Sequence, residues 1–496
     1  MKKTVEDSYG HVLKYTGIFG GVQGLNILIS LVRNKLIAVL LGPEGMGLAS
    51  LFNTTVNFVS QATNFGISFS AVKHVSELFD AGDEAKILHF IRVVRSWSLL
   101  TALLGMVVCI LVGPLLSSYT FSWGNHTLHF VLLAPAVALL AITGGETAIL
   151  KGARQLRSLA VIQIYSVFAA LMVSVPLYYF FGQAAIVPVI VLMALASMLL
   201  TVAHSYRLYP LKIGFESGIL GEGMSMVKLG VAFVLAGVLG SGAEMLIRAY
   251  LNNVADLDAV GLYNFGFMLT MTYGGMVFSA METDFFPRLS GVNNDREAYN
   301  GMINKQALVS LLIISPIAIG VIFTLPIIIP LLTSKDFLPV TDMARIAALS
   351  LYLRAVNLPM EYLTLAKGDA KSYLFLEGVY DMMIVLLIIV GYHYYGLVGT
   401  GYALALSAVG NTVLVLLYMG LRFGVRLNRL LTGCLLTQAA IGMGAFFMAE
   451  STSGVVYVVS GIMLFAVSLF ISVSVLRQRT YLWEKLVGKF KEKLNI

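Results

Sequence analysis

The sequence predicts an all-α integral membrane protein of about 14 transmembrane helices, arranged as two pseudo-symmetric six-helix lobes followed by two further helices. Three observations predict it. First, the 496 residues are 58% hydrophobic and only 12% charged, with a mean hydropathy of +0.85, far from the balance of a water-soluble domain. Second, apolar runs follow one another almost end to end with short polar joints, and a bilayer core about 30 Å thick takes roughly 20 residues per spanning helix. Third, the basic residues fall on one side of those runs.

The runs place spans at 16–41, 46–72, 96–118, 127–150, 158–181, 183–204, 226–251, 257–281, 308–332, 340–366, 372–392, 396–421, 429–449 and 453–476. Spans two, eight and ten carry many Asn, Ser, Thr or Tyr residues, which marks helices facing a bundle interior or an aqueous cavity. Lys and Arg resist translocation and collect on the cytoplasmic side. With the N-terminus inside, 26 of the 33 basic residues sit in cytoplasmic segments and only Lys335 sits outside. The remaining six, Arg33, Lys35, Lys228, Arg248, Arg345 and Arg354, lie within spans. This asymmetry predicts an even number of spans and cytoplasmic N- and C-termini.

The net charge of +7 is therefore spread over many short loops and forms no basic domain, so no nucleic-acid partner is expected. Cys109 and Cys434 lie in separate apolar spans, which excludes a disulfide framework and a metal-ligand spacing. The outer loops are too short to hold a catalytic domain. Among the cytoplasmic segments, KHVSELFDAGDEAKILHFIRVVRS has the apolar period of a short interfacial helix. In the tail RTYLWEKLVGKFKEKLNI, Trp483, Leu486, Phe490 and Leu494 recur every three or four residues between lysines, the pattern of a basic amphipathic helix on an anionic membrane face.

An internal repeat organises the chain. Arg33 is followed by GLASLF at Gly47 and FSAV at Phe69, and Arg248 by GLYNFGF at Gly261 and FSAM at Phe278. Spans one and two thus correspond to spans seven and eight. Both pairs enter from the cytoplasm, so the repeats are parallel, and many secondary transporters place their substrate site between such repeats. The expected divisions are an N-terminal lobe at 1–212 (spans one to six), a C-terminal lobe at 213–421 (spans seven to twelve), spans thirteen and fourteen at 422–476, and the tail at 477–496.

Charge inside a span costs about 2.5–3.5 kcal/mol at the helix centre, so each instance needs a reason. On span one, Gln23, Asn26, Ser30 and Arg33 share one helical face, while Lys35, roughly 200° around and about 9 Å from the outer end, is placed to snorkel. Span two adds the ladder Asn53, Asn57, Gln61, Asn64 and Ser68. Span seven aligns Ser241, Glu244 and Arg248, and the four-residue spacing permits a Glu244–Arg248 salt bridge. Span ten carries Ser350, Arg354, Asn357 and Glu361 on one face, with Arg354 near mid-membrane. Glu146, Glu282, Asp284, Glu361, Glu377 and Asp381 fall near inner helix ends and are expected to face cytoplasmic headgroups, with Asp381 the deepest. The candidate substrate-binding residues are Arg33, Arg248, Arg354, Asn26, Asn57, Gln61 and Asn64, and the candidates for ion coupling are Asp381 and Glu244.

No P-loop, HExxH, Cys/His cluster or GxSxG motif occurs, which points away from an enzyme and toward a transporter that needs no cofactor and draws on a proton or sodium gradient. Arginines on several helices favour an anionic ligand, since guanidinium pairs bidentately with phosphate.

The segment KLIAVLLGPEGMGLASLF resembles the end of the first helix and the following turn of O-antigen and related polysaccharide flippases of the multidrug/oligosaccharidyl-lipid/polysaccharide exporter superfamily. KLGVAFVLAGVLG in span seven and FSAMETDFFPRLS after span eight resemble the same family. The resemblance implies two six-helix lobes in an inverted V that open alternately to the two sides of a bacterial inner membrane. It implies an undecaprenyl-pyrophosphate-linked oligosaccharide as cargo, and membrane lipids and polysaccharide assembly proteins as partners. By position, Arg33 and Arg248 would meet the lipid pyrophosphate, and the span-two ladder the sugar hydroxyls. Glu244 beside Arg248 departs from a simple cationic pattern. The competing reading is a multidrug/cation antiporter of the same superfamily, which needs an intramembrane carboxylate where span one offers none.

Overall fold

A computed structural model describes residues 2–120, 125–272, 274–275, 278, 285–286 and 288–479, with backbone alone through residue 24 and at a few later positions such as Asn26 and Lys228. The amphipathic tail, Glu282 and Asp284, and the side chains of Gln23 and Asn26 therefore lie outside the described residues. Those described contain helices and no strand, and nine helices are long and apolar enough to cross a membrane. Three of the nine are interrupted by a glycine at positive φ: Gly42 (67°), Gly182 (55°) and Gly396 (57°). At Gly396 the interruption is a reversal, because a methyl group on Gly391 would lie 3.0 Å from the Gly399 carbonyl carbon. Only glycine tolerates both the dihedral and the approach.

Two element boundaries differ from the sequence expectation. Span two ends at Thr63, where Phe65 and Gly66 both take positive φ, and a separate helix, Ile67–Ala81, begins. The expected interfacial helix is in turn split at Gly82 (φ 71°), so its second half becomes the start of span three, Glu84–Thr120. Left-handed glycines, rather than hydropathy, set both ends.

By backbone contact the chain divides into two compact units, Met1–Gly261 with Leu331–Asp336, and Leu262–Pro330 with Phe337–Ile496. Span seven belongs to the first of these units for a physical reason. The linker before span seven and that helix's first turns are strapped to one face of span three: Ser96 Oγ accepts from the Gly214 N–H at 3.0 Å, Arg92 donates to Glu216 at 3.0 Å, and His89 Nε2 lies 2.9 Å from a Glu222 oxygen. At its far end, Asn252 and Asn253 donate to the carbonyls of Thr120 and Tyr119 at 2.7 and 2.8 Å, satisfying the open C-terminus of span three.

The first unit is centred at one end on an ion pair. Arg95 Nε meets Glu146 Oε1 at 2.8 Å, with both side chains 3% exposed. The same guanidinium reaches the carbonyls of Pro210 (2.8 Å) and Tyr209 (3.0 Å) and covers the Tyr206 ring at 4.5 Å, while Ser205 donates to Glu146 at 2.5 Å. Arg95 and Glu146, expected as a loop charge and a headgroup-facing acid, are instead one buried network joining spans three, four and six. Lys35, expected to snorkel, donates to the Leu331 carbonyl at 2.6 Å.

The second unit packs spans nine, ten and twelve to fourteen around Leu311, Tyr352, Val356, Leu363 and Val415. Polar clasps hold its periphery. Arg345, 8% exposed, joins Asp342 (3.3 Å), the Ile322 carbonyl (3.4 Å) and the Tyr457 hydroxyl (3.2 Å), so spans nine, ten and fourteen meet at one side chain. Gln438, fully buried, donates to Ser468 O and Ser472 Oγ and binds span thirteen to fourteen. Lys367 donates to the Asn293 carbonyl and lies 4.9 Å from the Tyr299 ring. Asp369 begins span eleven: burial pulls its carboxyl upward, but hydrogen bonds from Arg422 (2.7 Å) and Ser372 (2.8 Å) outweigh this and hold it below the usual carboxylate range.

Two predictions test this framework. Glu146→Ala leaves Arg95 buried and unpaired, at a cost of about 3–5 kcal/mol, and Arg95→Met with Glu146→Leu recovers most of it; thermal unfolding in detergent reads both. A carboxyl depressed in the folded state stabilises above its unfolded pKa and ceases to as pH falls through the folded value. The Asp369 contribution is therefore intact at pH 7 and lost below about pH 3.9, so Asp369→Asn flattens the acid limb of the stability profile and leaves its neutral limb lower.

Candidate functional site

In the first unit, spans two and seven run side by side in opposite directions. Ser50 meets Arg248, Phe58 faces Gly242, and the Gln61 amide lies 3.2 Å from where a methyl on Gly237 would be. Asn53, Asn57 and Gln61 recur every four residues, so they project from one face, and all three are exposed. Asn64, half-buried at the end of the ladder, donates to Ser68 at 2.8 Å. The result is a wall of amides able to donate and accept together, as sugar hydroxyls require.

Arg248 stands at one end of that wall and is 5% exposed. Its Nε donates to Ser50 Oγ at 2.8 Å, and its Nη1 to the Glu244 carboxylate and carbonyl, each at 3.2 Å. The Glu244 side chain remains 49% exposed. This cation is therefore neutralised within its own helix.

Arg33 differs, although the repeat makes it the counterpart of Arg248. Four residues before it stands Ile29, where the later copy has Glu244. Its Nη2 donates to the thioether of Met193 on span six at 3.6 Å, Tyr178 on span five lies within its electrostatic reach, and its buried Nε has no hydrogen-bond partner among the described residues. The recorded partners of Arg33 are thus on spans five and six, whereas those of Arg248 are on spans two and seven.

In the second unit the span-ten stripe opens on a cavity of about 130 Å³ lined by Ser350, Arg354, Asn357, Glu361, Glu377, Tyr380 and Asn411. Span eight leaves α-helical geometry here for a π turn, Met268–Thr272, a feature frequent at functional sites. The turn sets Met271 beside Arg354, whose Nη1 donates to its sulfur at 3.5 Å. Asn411 donates to Glu361 at 2.9 Å and Asn357 to Thr412 at 3.0 Å, and the carbonyl oxygens of both amides are buried with no partner among the described residues. One guanidinium, two carboxylates and two open amide oxygens thus share the cavity, so acceptors outnumber donors.

Glu361 and Glu377 were expected to face headgroups. Both instead line this cavity, because the reversal at Gly396 returns span twelve beside span eleven and Asn411 of span twelve donates to Glu361 of span ten. Asp381, one turn beyond Glu377, is half-buried and acts on Glu377 through space without lining the cavity. Glu377 and Tyr380 carried a usable signal, their three-residue spacing on a single face. Asn411 carried none, being an isolated amide in an apolar span that only tertiary packing brings to Glu361.

The model of a family described as polysaccharide biosynthesis protein matches residues 36–342. The chain is 22% identical over 366 residues to the lipid III flippases of Escherichia coli K12 and Shigella flexneri, covering 70% of this chain and 83% of each of those. Its fold is similar to a lipid II flippase, MurJ, in an inward closed conformation, with a TM-score of 0.71 at 13% identity, over 93% of this chain and 98% of that one. A multidrug resistance MATE family transporter of the MOP superfamily, inward-facing, is similar at a TM-score of 0.67 and 14% identity, over 80% and 94%. The fold is therefore the helical transporter fold that MOP-superfamily proteins share.

Proposed function

Since the chain belongs to the polysaccharide biosynthesis protein family, we propose that it is a flippase that moves an undecaprenyl-pyrophosphate-linked oligosaccharide, an O-antigen or related surface glycan unit, from the cytoplasmic to the periplasmic leaflet of the bacterial inner membrane by alternating access. Relatives named lipid III flippases support the class of cargo. The observation that carries the reading is Arg33: a guanidinium inside a span whose recorded hydrogen bond goes to a sulfur, a weak acceptor. A phosphate would offer it two strong ones. Arg354, also bonded to a thioether, is the second such group. Arg248 is assigned with Glu244 to the amide wall, where Asn57 and Gln61 meet sugar hydroxyls. The termini face the cytoplasm on the charge pattern of the loops.

The cavity of the second unit supplies the coupling. Glu361 and Glu377, with the open oxygens of Asn357 and Asn411, form an oxygen-rich set suited to a proton or a sodium ion, and Asp381 adds to its field. The same carboxylates give the cation antiporter its one specific support, since a cationic drug would also be neutralised there.

Surface glycan in cells lacking their own glycan flippase tests the assignment. Arg33→Gln and Arg354→Gln are each expected to lower export to about a tenth or less, the factor for roughly 1.4 kcal/mol of lost binding in the carrying state, at unchanged membrane abundance. Full export by both sinks the anion assignment, and efflux of cationic drugs abolished by Glu377→Gln would favour the antiporter. Glu361→Gln and Glu377→Gln are expected to keep glycolipid binding in the purified protein while transport in proteoliposomes loses its response to an imposed proton or sodium gradient.

A further inference from the structure

In the second unit, the short connection between spans twelve and thirteen is held along its length by the first turns of span nine, which begins at Arg296. The Tyr299 hydroxyl donates to the Phe423 carbonyl at 2.5 Å, and Arg296 donates through Nε and Nη2 to the Gly424 carbonyl at 3.3 and 3.2 Å. Two asparagines one turn apart then bracket Arg426. Asn300 Oδ1 accepts from its N–H at 2.9 Å, Asn304 Nδ2 donates to its carbonyl at 2.8 Å, and Asn304 Oδ1 accepts from the Asn428 N–H at 2.8 Å. Asn428 in turn accepts from the Leu431 N–H at 2.8 Å and caps span thirteen. Side chains of span nine thus satisfy the irregular backbone, and they fix the Arg426 main chain from both sides.

The clasp frames a cavity of about 710 Å³ whose polar lining is Arg296, Glu297, Asn300, Asn304, Arg426 and Asn428. The amides of Asn300 and Asn304 are already committed to backbone. The arginines are not: the recorded hydrogen bonds of Arg426 are made by its main chain, those of the Arg296 guanidinium leave Nη1 unused, and both residues are exposed. Two guanidiniums and one carboxylate give the lining one net positive charge, and the exposed Lys305 and Arg429 stand next to Asn304 and Asn428 in the chain. The cavity also adjoins lipid-facing surface, for Leu417 and Leu421 in the last two turns of span twelve are 60% and 88% exposed. The loop charges assign this end of the spans to the cytoplasm.

We propose that this cavity is a site for the headgroup of an anionic phospholipid of the cytoplasmic leaflet, with its phosphodiester held by Arg296 and Arg426 and a headgroup hydroxyl donating to Glu297. A guanidinium fork matches two phosphate oxygens, and basic pockets between helices on the cytoplasmic side hold phospholipid headgroups. One phosphodiester carries one negative charge, equal and opposite to that of the lining. A zwitterionic headgroup would leave the positive charge uncompensated, and a soluble phosphate would make no use of the exposed leucines, which accept acyl chains. A lipid seated here ties span nine to the connection of spans twelve and thirteen from outside and so reinforces the clasp. The site shares no residue with the amide wall or with the cavity around Arg354, so it is independent of what the protein transports.

Native mass spectrometry of the full chain in a neutral detergent, titrated with phosphatidylglycerol, tests the site. The first lipid is expected to bind Arg426→Gln about tenfold more weakly than the parent, the factor for roughly 1.4 kcal/mol. This variant keeps the clasp, which uses only the Arg426 backbone. Phosphatidylglycerol is also expected to raise the thermal unfolding temperature of the parent and not of Arg426→Gln, a difference that lipid bound anywhere on the apolar belt would not produce. Phosphatidylethanolamine is expected to bind both proteins alike and more weakly. Equal binding of phosphatidylglycerol by the parent and Arg426→Gln overturns the site, as does a preference for phosphatidylethanolamine. Displacement of the first lipid by millimolar inorganic phosphate assigns the cavity to a soluble phosphate and overturns the lipid headgroup.

Discussion

A guanidinium buried in a membrane-spanning helix must be neutralised or hydrogen-bonded, and the way each arginine of this chain meets that demand separates framework from function. Arg95 meets it completely, with Glu146, two backbone carbonyls and a tyrosine face. Arg345 and Arg248 meet it with an acid on their own helix and a hydroxyl from another. Arg354 has carboxylates in its field but a thioether as hydrogen-bond acceptor, and Arg33 has a thioether and an open Nε. A fully compensated buried pair fixes geometry, since breaking it is costly. An under-compensated one is open to a ligand, the role proposed for Arg33 and Arg354.

The framework pairs sit where rigidity serves transport. Arg95 and Glu146 tie spans three, four and six at one end of the first unit, while Asn252 and Asn253 tie span seven to span three at the other. Between those ends stands the amide wall of spans two and seven, joined at one end by the Arg248–Ser50 hydrogen bond. The second unit is clasped around its rim by Arg345, Gln438 and Asp369, yet its interior holds a cavity whose amide oxygens are left open. Polar groups thus clasp the edges of both units, while the amide wall of the first and the cavity of the second keep polar groups open, the distribution on which the proposed function rests.

Much of this was legible in the sequence because its cause is local. Hydropathy and loop charge reveal a multi-pass helical protein, three- and four-residue spacings reveal the stripes of spans two and ten, and the repeat was visible in GLASLF and GLYNFGF. What escaped depends on residues far apart. Arg95 and Glu146 read as ordinary positive-inside charge and interfacial acid until span six folds over them, and Glu361 joins a cavity only because Asn411 arrives from span twelve. The strapping of span seven to span three escaped for the same reason, since Ser96 and Gly214 meet only in three dimensions. Span two and the interfacial helix were misjudged for a different one: hydropathy does not register a left-handed Gly66 or Gly82.

The central claim is that the open arginines are completed by the pyrophosphate of a lipid-linked glycan. Native mass spectrometry of the full chain, purified from cells that make such a glycan, tests it most directly. The account predicts an adduct with the mass of an undecaprenyl pyrophosphate bearing sugars, displaced by added undecaprenyl pyrophosphate and not by a neutral lipid. A protein that carries only neutral or cationic amphiphiles, or an adduct indifferent to that competitor, would contradict it.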